Sequence, residues 1–195
     1  MQTVDVPQES RDLLHRSGHY LQEHSPVLVY RLEGVDESLV LRKCAEAEDS
    51  YASDTFGPQL EELKEDIFDT AVTVAQDFND CVRHFLRRLE HILEQTPPRG
   101  HNEVTELPIF SGAFVPFTEN DLPDTVIMFV ALEIEDKEWT FVPCKMPVNV
   151  EVGMQLASLR RVDIFPETIV EYHGDPAVLS RLTMPRITEE GSPEC

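Results

Sequence analysis

Hydrophobic positions repeat most regularly between residues 58 and 95. Apolar residues recur there every eleven residues in three registers: Leu60, Ala71, Val82 and Leu93; Leu63, Val74 and Phe85; and Ile67, Phe78 and Leu89. An eleven-residue repeat corresponds to about 3.67 residues per turn, so the apolar stripe runs nearly straight along a helix. Pro58 suits a first helical position and Thr96-Pro97-Pro98 is a strong stop. The pattern predicts one helix of about 38 residues, about 57 Å long, with an apolar face that needs a sheet or other helices against it.

The segment before this helix predicts a helix followed by a hairpin. Residues 8–24 place leucines and Tyr20 on one arc, and Ser25-Pro26 ends the helix because a residue before proline avoids the helical region. Residues 27–32 then predict a strand, residues 34–37 a turn, and Leu39-Val40-Leu41 a returning strand. The acidic, small-residue stretch 45–55 is interpreted as a loop, with a helical turn within it as the alternative.

Beyond Gly100 the apolar runs become short, β-branched or aromatic, and most of the prolines occur there. This composition predicts strands and loops. The expected strands are 109–117, an edge strand because Pro116 lacks an amide donor; 126–132, buried on both faces; 139–142; 148–152; 162–165; and 168–172. Residues 154–159 predict a helical turn, and Asp175-Pro176 the start of a short helix.

These elements predict an α+β fold with the long helix, about 58–95, packed on a mainly antiparallel sheet formed largely by the C-terminal half. We expect a single domain over 1–188, with an N-terminal helix and hairpin (8–44), the long helix (58–95) and a sheet-rich half (104–186), and then a tail at 189–195. Helices precede the main strands, which disfavours a doubly wound parallel sheet. The predicted helix is longer than a small domain is wide, so its projecting apolar stripe predicts a homo-oligomer, most simply a homodimer.

Charge narrows the class of partner. The chain has 37 acidic and 16 basic residues, a formal charge of −21, which repels nucleic acid and anionic membranes and leaves another protein as the expected partner. Adaptation to high salt is the alternative explanation of this charge. No apolar run is long enough to span a membrane and residues 1–7 do not resemble a signal peptide, so we expect a cytoplasmic protein. The four cysteines have no C-x-x-C spacing and are interpreted as small buried hydrophobic residues, although spacing leaves disulfide pairing open.

Three groups of residues have spacings compatible with chemistry. They are His15, His19 and Glu23 on the first helix; Asp80, His84 and His91 with Arg87 on the long helix; and Glu171, His173 and Asp175 around Gly174. The first spacing would align metal ligands and the third would present a general base. In each case an ordinary structural interpretation is stronger, namely a solvated helix face or a strand-to-helix turn. No catalytic residue, metal site or cofactor is therefore predicted.

The remaining candidate is acidic surface. Five carboxylates crowd the start of the predicted long helix: Glu61, Glu62, Glu65, Asp66 and Asp69. Residues 45–54 add four more acids nearby in sequence. Such runs are usually solvated faces; a functional one would bind a basic protein. The sequence favours a non-enzymatic, acidic protein-interaction module, such as an adaptor, chaperone, immunity or regulatory protein. The alternatives are an enzyme or metal-binding protein with a site assembled from scattered His, Asp and Glu, and an inhibitor that imitates DNA.

Overall fold

A computed structural model of the 195-residue chain describes residues 8–56, 66–96, 105–118, 125–134, 138–147 and 150–160. The described residues form four helices and five strands. The helices are α1 (Gln8–Ser17), α2 (Glu37–Phe56), α3 (Phe78–Gln95) and α4 (Val150–Arg160). The strands are β1 (Leu28–Leu32), β2 (Thr73–Ala75), β3 (Ala113–Phe117), β4 (Thr125–Ile134) and β5 (Glu138–Pro147).

The strands form one mixed sheet in the order β2-β1-β3-β4-β5. Its first three strands are all parallel, with Leu32 opposite Ala75 on β2 and Leu28 opposite Phe114 on β3. β4 and β5 follow as an antiparallel pair, and Phe129 of β4 lies opposite Phe114. α2 connects β1 to β2, and α3 connects β2 back to β3. The parallel part is therefore wound in both directions from β1.

Alternate residues of the strands supply two separate cores, one on each face of the sheet. Val27 and Val29 face the core that α2 and α4 cover, whereas Leu28 and Tyr30 face the core that α1 and α3 cover. The period of two along a strand produces this division. The molecule thus has three layers, with α2 and α4 on one side of the sheet and α1 and α3 on the other.

Phe114 is the centre of the core beneath α3. Its ring lies 5.1 Å from that of Phe129, 5.3 Å from Phe85 and 5.6 Å from Phe141, measured between ring centroids. Burial of this aromatic group, with offset and edge contacts between rings, supplies much of the apolar area that holds α3 to the sheet.

The prediction of one long helix on a mainly antiparallel sheet is wrong. Residues 66–77 are not helical: the amide of Val27 donates to the carbonyl of Ile67 at 2.8 Å, and the amide of Asp69 donates to the carbonyl of Val27 at 2.9 Å. Only the C-terminal part of the predicted helix is observed, as α3. Ile67 and Leu89, which the repeat places on one stripe, are both fully buried but in the two different cores. The repeat does not mark one buried stripe of a helix: Val74, another of its members, is 49% exposed. The continuous rod that motivated self-association does not exist.

The predicted hairpin and loop are also wrong, because residues 39–41 and 45–55 belong to α2. Asp36 precedes this helix, and its Oδ1 accepts hydrogen bonds from the amide and hydroxyl of Ser38 at 2.9 and 2.8 Å. Val40, Cys44 and Ala47 then face the core at helical spacing. The short apolar run 39–41 suits a strand equally well in isolation, and helical packing against α4 decides between the two.

The remaining predicted elements agree in part with the structure. The first helix ends at Ser17, not at residue 24, and β3 is an interior strand, not an edge strand. Pro116 is tolerated in this strand because β3 pairs with β4 only at Ala113 and Phe114. Pro116 lies two residues beyond that pairing. The strands predicted at 126–132 and 139–142 are confirmed as parts of β4 and β5. The strand predicted at 148–152 is wrong, since α4 begins at Val150, and the helical turn at 154–159 is confirmed within α4. Predictions for residues 161–195, including the tail, and for 58–65 lie outside the described residues.

Candidate functional site

The polar face of α3 carries the densest set of exposed basic groups that the structure describes. The helix begins after Asp77, whose carboxylate accepts the amide of Asp80 at 2.8 Å, while Asp80 in turn accepts the amide of Gln76 at 3.2 Å. Arg83, Arg87 and Arg88 follow, and all three are exposed. We call these three residues the arginine face. The reciprocal hydrogen bonds fix the first turn of α3 and hence the position of the arginines that follow it.

A buried tyrosine lies beneath this face. The Tyr30 hydroxyl is 3.0 Å from Nδ1 of His84, and the two rings meet edge to face with centroids 5.6 Å apart. Tyr30 is fully buried, and burial raises the pKa of its hydroxyl well above the ordinary value, with the charge of Cys81 as a smaller cause. Burial lowers the pKa of His84, and the nearby positive charge of Arg88 lowers it further. The pair is therefore neutral near neutral pH.

The chemistry open to this pair is limited. When the Tyr30 hydroxyl donates to Nδ1, the neutral imidazole carries its proton on Nε2 and presents a donor to solvent, which is the wrong group for a general base. Cys81 is fully buried and its pKa is raised by burial, so its thiol remains protonated and is a poor nucleophile. The arrangement positions α3 on the sheet more clearly than it positions a reacting group.

A second set of polar contacts lies across the sheet, where α2 meets residues 66–69. Glu48 is half-buried, and its Oε1 accepts hydrogen bonds from the amides of Ile67 and Phe68, each at 2.9 Å. Burial raises the pKa of Glu48, and the charges of Asp66 and Asp49 raise it further. The same carboxylate therefore ties the segment after residue 65 to α2 and brings acidic side chains of both elements together.

The structure describes two of the five predicted partner-binding residues. Asp66 is exposed and Asp69 is half-buried, whereas Glu61, Glu62 and Glu65 lie outside the described residues. Asp69 accepts the amide of Ala71 at 2.8 Å and so has a local structural role. Asp49, an exposed acid on α2, is close enough to Glu48 to raise its pKa, as Asp66 is. Glu46, also on α2, pairs with Lys43 at 3.0 Å. We define the acidic surface by Glu48, Asp49 and Asp66.

The ends of β1 and β3 mark the place where doubly wound sheets usually bind ligands. In this chain the loop after β1 contains Gly34 at a φ of 91°, a conformation that favours glycine. It also contains Glu33 and Asp36, and Glu37, the first residue of α2, pairs with Arg31 at 3.4 Å. A loop with two carboxylates and one glycine repels phosphate and has no second glycine to approach it.

The other sequence candidates do not assemble into a site. The rings of His15 and His19 lie 5.1 Å apart, but α1 ends at Ser17, so Glu23 does not continue their helical alignment. Asp80 and His91 are on α3 with His84, and His91 contacts Gln95 at 3.0 Å. Within the ranges that the structure describes, no three His, Cys, Asp or Glu side chains are placed to hold a metal ion. Glu171, His173 and Asp175 lie outside the described residues.

Sequence reasoning misses the role of two residues. It places Tyr30 only in a strand and Glu48 only in an acidic loop. Tyr30 and His84 are 54 positions apart, and Glu48 is 19 positions from Ile67. A local sequence pattern cannot identify such pairs. The one available signal is that Tyr30 follows three apolar residues in a predicted strand.

Comparisons with known proteins return no relative: no family model, no curated protein and no solved structure matches this chain. Among the described helices, none combines the length and apolar character needed to cross a membrane. Cys44 and Cys81 are buried free thiols.

Proposed function

We propose that this protein is a non-enzymatic protein-interaction module that binds a basic partner protein through the acidic surface. The observation that carries the proposal is the pair of hydrogen bonds from Ile67 and Phe68 to Glu48. They hold the acidic segment that begins at Asp66 against α2. Carboxylates from two elements far apart in sequence are thereby presented on one side of the molecule.

The energetic cost of this arrangement supports a binding role. Burial is the main cause of the raised pKa of Glu48, and Asp66 and Asp49 raise it further, so each of these two charges repels the Glu48 carboxylate. Like charges held together destabilise a fold unless a counter-charge offsets the repulsion. A cluster of lysines or arginines on a partner would supply that counter-charge and would also accelerate the encounter.

The proposal is tested by affinity capture from the native host, with the full-length chain as bait. We expect the double substitution D49N/D66N to reduce recovery of the bound basic proteins by about tenfold, because each amide keeps the side-chain shape but removes one charge. The matched control is E90Q/E94Q, which removes the same charge from exposed positions on α3 across the sheet. It should leave recovery unchanged. Equal recovery with both variants, or capture of acidic proteins only, would contradict the proposal.

A purified readout supports the capture experiment. Binding of a fluorescent lysine-rich peptide, followed by anisotropy, should weaken with D49N/D66N and not with E90Q/E94Q. It should also weaken as salt rises from about 50 to about 300 mM, since exposed charge pairs are screened. A peptide that binds both variants equally would show only the general attraction of a chain with a charge of −21.

A further inference from the structure

Arg11 on α1 places a positive charge inside the protein. Only 6% of its surface is exposed, whereas Arg16 on the same helix is exposed. Arginine is almost never fully buried unless it is paired, because its guanidinium keeps its charge in proteins. The burial of Arg11 therefore requires a counter-charge or a set of hydrogen-bond acceptors.

The guanidinium of Arg11 has no such group among the residues that the structure describes. Its Nε and Nη2 atoms are both buried and donate no hydrogen bond there. The side chain also takes part in none of the ion pairs of the described residues. Arg160 is buried as well, but its Nη1 donates to the carbonyls of Asp66 at 2.9 Å and of Ser25 at 3.3 Å. Arg11 thus lacks the contacts that the fold gives to Arg160.

The helix dipole does not explain the position of Arg11. It is the fourth residue of α1, close to the positive end of the helix dipole, where a cation is unfavourable. His15 and Arg16 occupy the last turn, where a cation is favourable. Side chains on a helix lean toward its N-terminus, so the side chain of Arg11 leans toward the positive end. The dipole and the guanidinium both favour an anion at this place.

The two unpartnered nitrogens define the chemistry of that anion. Nε and Nη2 present their hydrogens along one edge of the planar guanidinium, in the geometry that pairs with both oxygens of a carboxylate. A carboxylate carries a single negative charge and so neutralises a single guanidinium. A phosphate dianion would leave a negative charge buried, which is costly in a chain whose charge is already −21.

We propose that Arg11 is an anion-binding residue, which holds a small organic acid by its carboxylate through Nε and Nη2. The bound carboxylate supplies the counter-charge and the acceptors that the described residues do not. α1 covers the face of the sheet opposite to α2, which carries Glu48 and Asp49. The inference is therefore independent of the proposed binding of a basic partner and can fail separately from it.

The test titrates the full chain with sodium acetate at constant ionic strength, with sodium chloride as the balancing salt. Nitrogen–proton correlation spectra follow the Nε–H signal of Arg11, which is identified by its loss in Arg11→Met. We expect a saturable shift of this signal in the wild-type chain. Acetate should also raise the melting temperature of the wild type, since a ligand that binds only the folded state stabilises it.

Substitutions of Arg11 separate ligand binding from a structural role. Arg11→Met removes the buried charge, so in chloride it should be at least as stable as the wild type, and acetate should raise its melting temperature less. Arg11→Lys keeps the charge without the planar fork and should bind acetate at least about tenfold more weakly. Arg16→Met is the matched control, since it removes the same charge from an exposed position on α1. It should bind acetate within about twofold of the wild type.

Several outcomes would overturn this inference. An Arg11 signal that acetate leaves unchanged in the wild type would mean that water or a carboxylate of the chain itself holds the guanidinium. An Arg11→Met variant that loses the same stability in chloride and in acetate would assign Arg11 a structural role. Equal weakening by Arg11→Lys and Arg16→Met would mean that net charge alone is sensed. Inorganic phosphate that shifts the same signal at lower concentration than acetate would replace the organic acid with a phosphate compound.

Discussion

The Tyr30 hydroxyl lies 3.0 Å from Nδ1 of His84 and joins strand β1 to helix α3. The contact ties a buried phenol to a half-buried imidazole beside the arginine face. It also determines how protonation of that imidazole affects the fold. His84 is neutral in the folded protein at pH values where an exposed histidine is already partly charged, because burial and Arg88 both lower its pKa.

Substitution His84→Gln should make stability less dependent on pH on the acidic side of neutrality. The folded-state pKa lies below the ordinary value of 6.5. The unfolded chain therefore binds more protons than the folded chain as pH falls below 6.5, and the free energy of unfolding declines across that window. A glutamine at this position cannot titrate, so this part of the decline should disappear. Urea unfolding of the wild-type and variant chains at about pH 7.5 and about pH 5.5 measures the difference.

The control for this experiment is His91→Gln, on the same helix but exposed. That variant should show the wild-type dependence on pH. If His84→Gln and His91→Gln behave alike, the environment of His84 does not shift its titration.

Glu48 should tolerate replacement by glutamine and not by alanine. Its raised pKa means that the folded state disfavours the charged carboxylate, so the charge reduces stability at neutral pH. Glu48→Gln removes that charge and keeps an oxygen for the amides of Ile67 and Phe68, so we expect the free energy of unfolding to stay equal or rise. Glu48→Ala leaves two amides without an acceptor and should cost about 1–3 kcal/mol. Denaturant unfolding at neutral pH compares the three chains, and an alanine variant as stable as wild type would show that water replaces the carboxylate at no cost.

Gly153 should be required for the close approach of α2 and α4. A Cβ at this position would lie 2.9 Å from the carbonyl oxygen of Ala47 and 3.0 Å from the Cβ of Tyr51. Both are atoms that move only with the α2 backbone. We expect Gly153→Ala to cost about 1–3 kcal/mol, the usual range for overpacking. Thermal unfolding followed by circular dichroism measures the loss.

Gly18→Ala is the matched control for this substitution. Its added Cβ would meet nothing closer than the His15 carbonyl oxygen at 3.4 Å. The control should shift the melting temperature little in either direction. Equal losses for the two variants would mean that a clash between α2 and α4 is not what destabilises Gly153→Ala, since alanine favours a helix more than glycine does.

Some single elements could be predicted from the sequence, whereas their arrangement could not. The uninterrupted apolar run in β4 and the residues of β5 indicate strands, because no other short element buries both of its faces. The polar arc and the C-terminal stop of α3 are also visible in the sequence. In contrast, residues 39–41 suit a strand or a helix equally well, and only packing of Val40 on the core beneath α2 and α4 selects the helix.

The eleven-residue repeat shows why arrangement is harder to predict than local structure. Ile67 and Leu89 fall on one stripe of an ideal helix, yet they are buried on opposite faces of the sheet. A buried parallel sheet accepts apolar residues from both sides, so periodicity alone does not say which side a residue faces. The path of the chain from Ile67 to Leu89 depends on contacts with distant residues. Glu48 on α2 and Val27 before β1 both form hydrogen bonds with residues 66–69.

By itself the sequence determined the strong negative charge, the local elements α3, β4 and β5, and the expectation that any partner is a protein. Only the tertiary structure decided that the segment beginning at Asp66 lies against α2 and that Tyr30 meets His84. Composition and local periodicity are properties of neighbouring residues. These two relationships join residues from different parts of the chain, and their free energy exists only when the sheet brings those parts together.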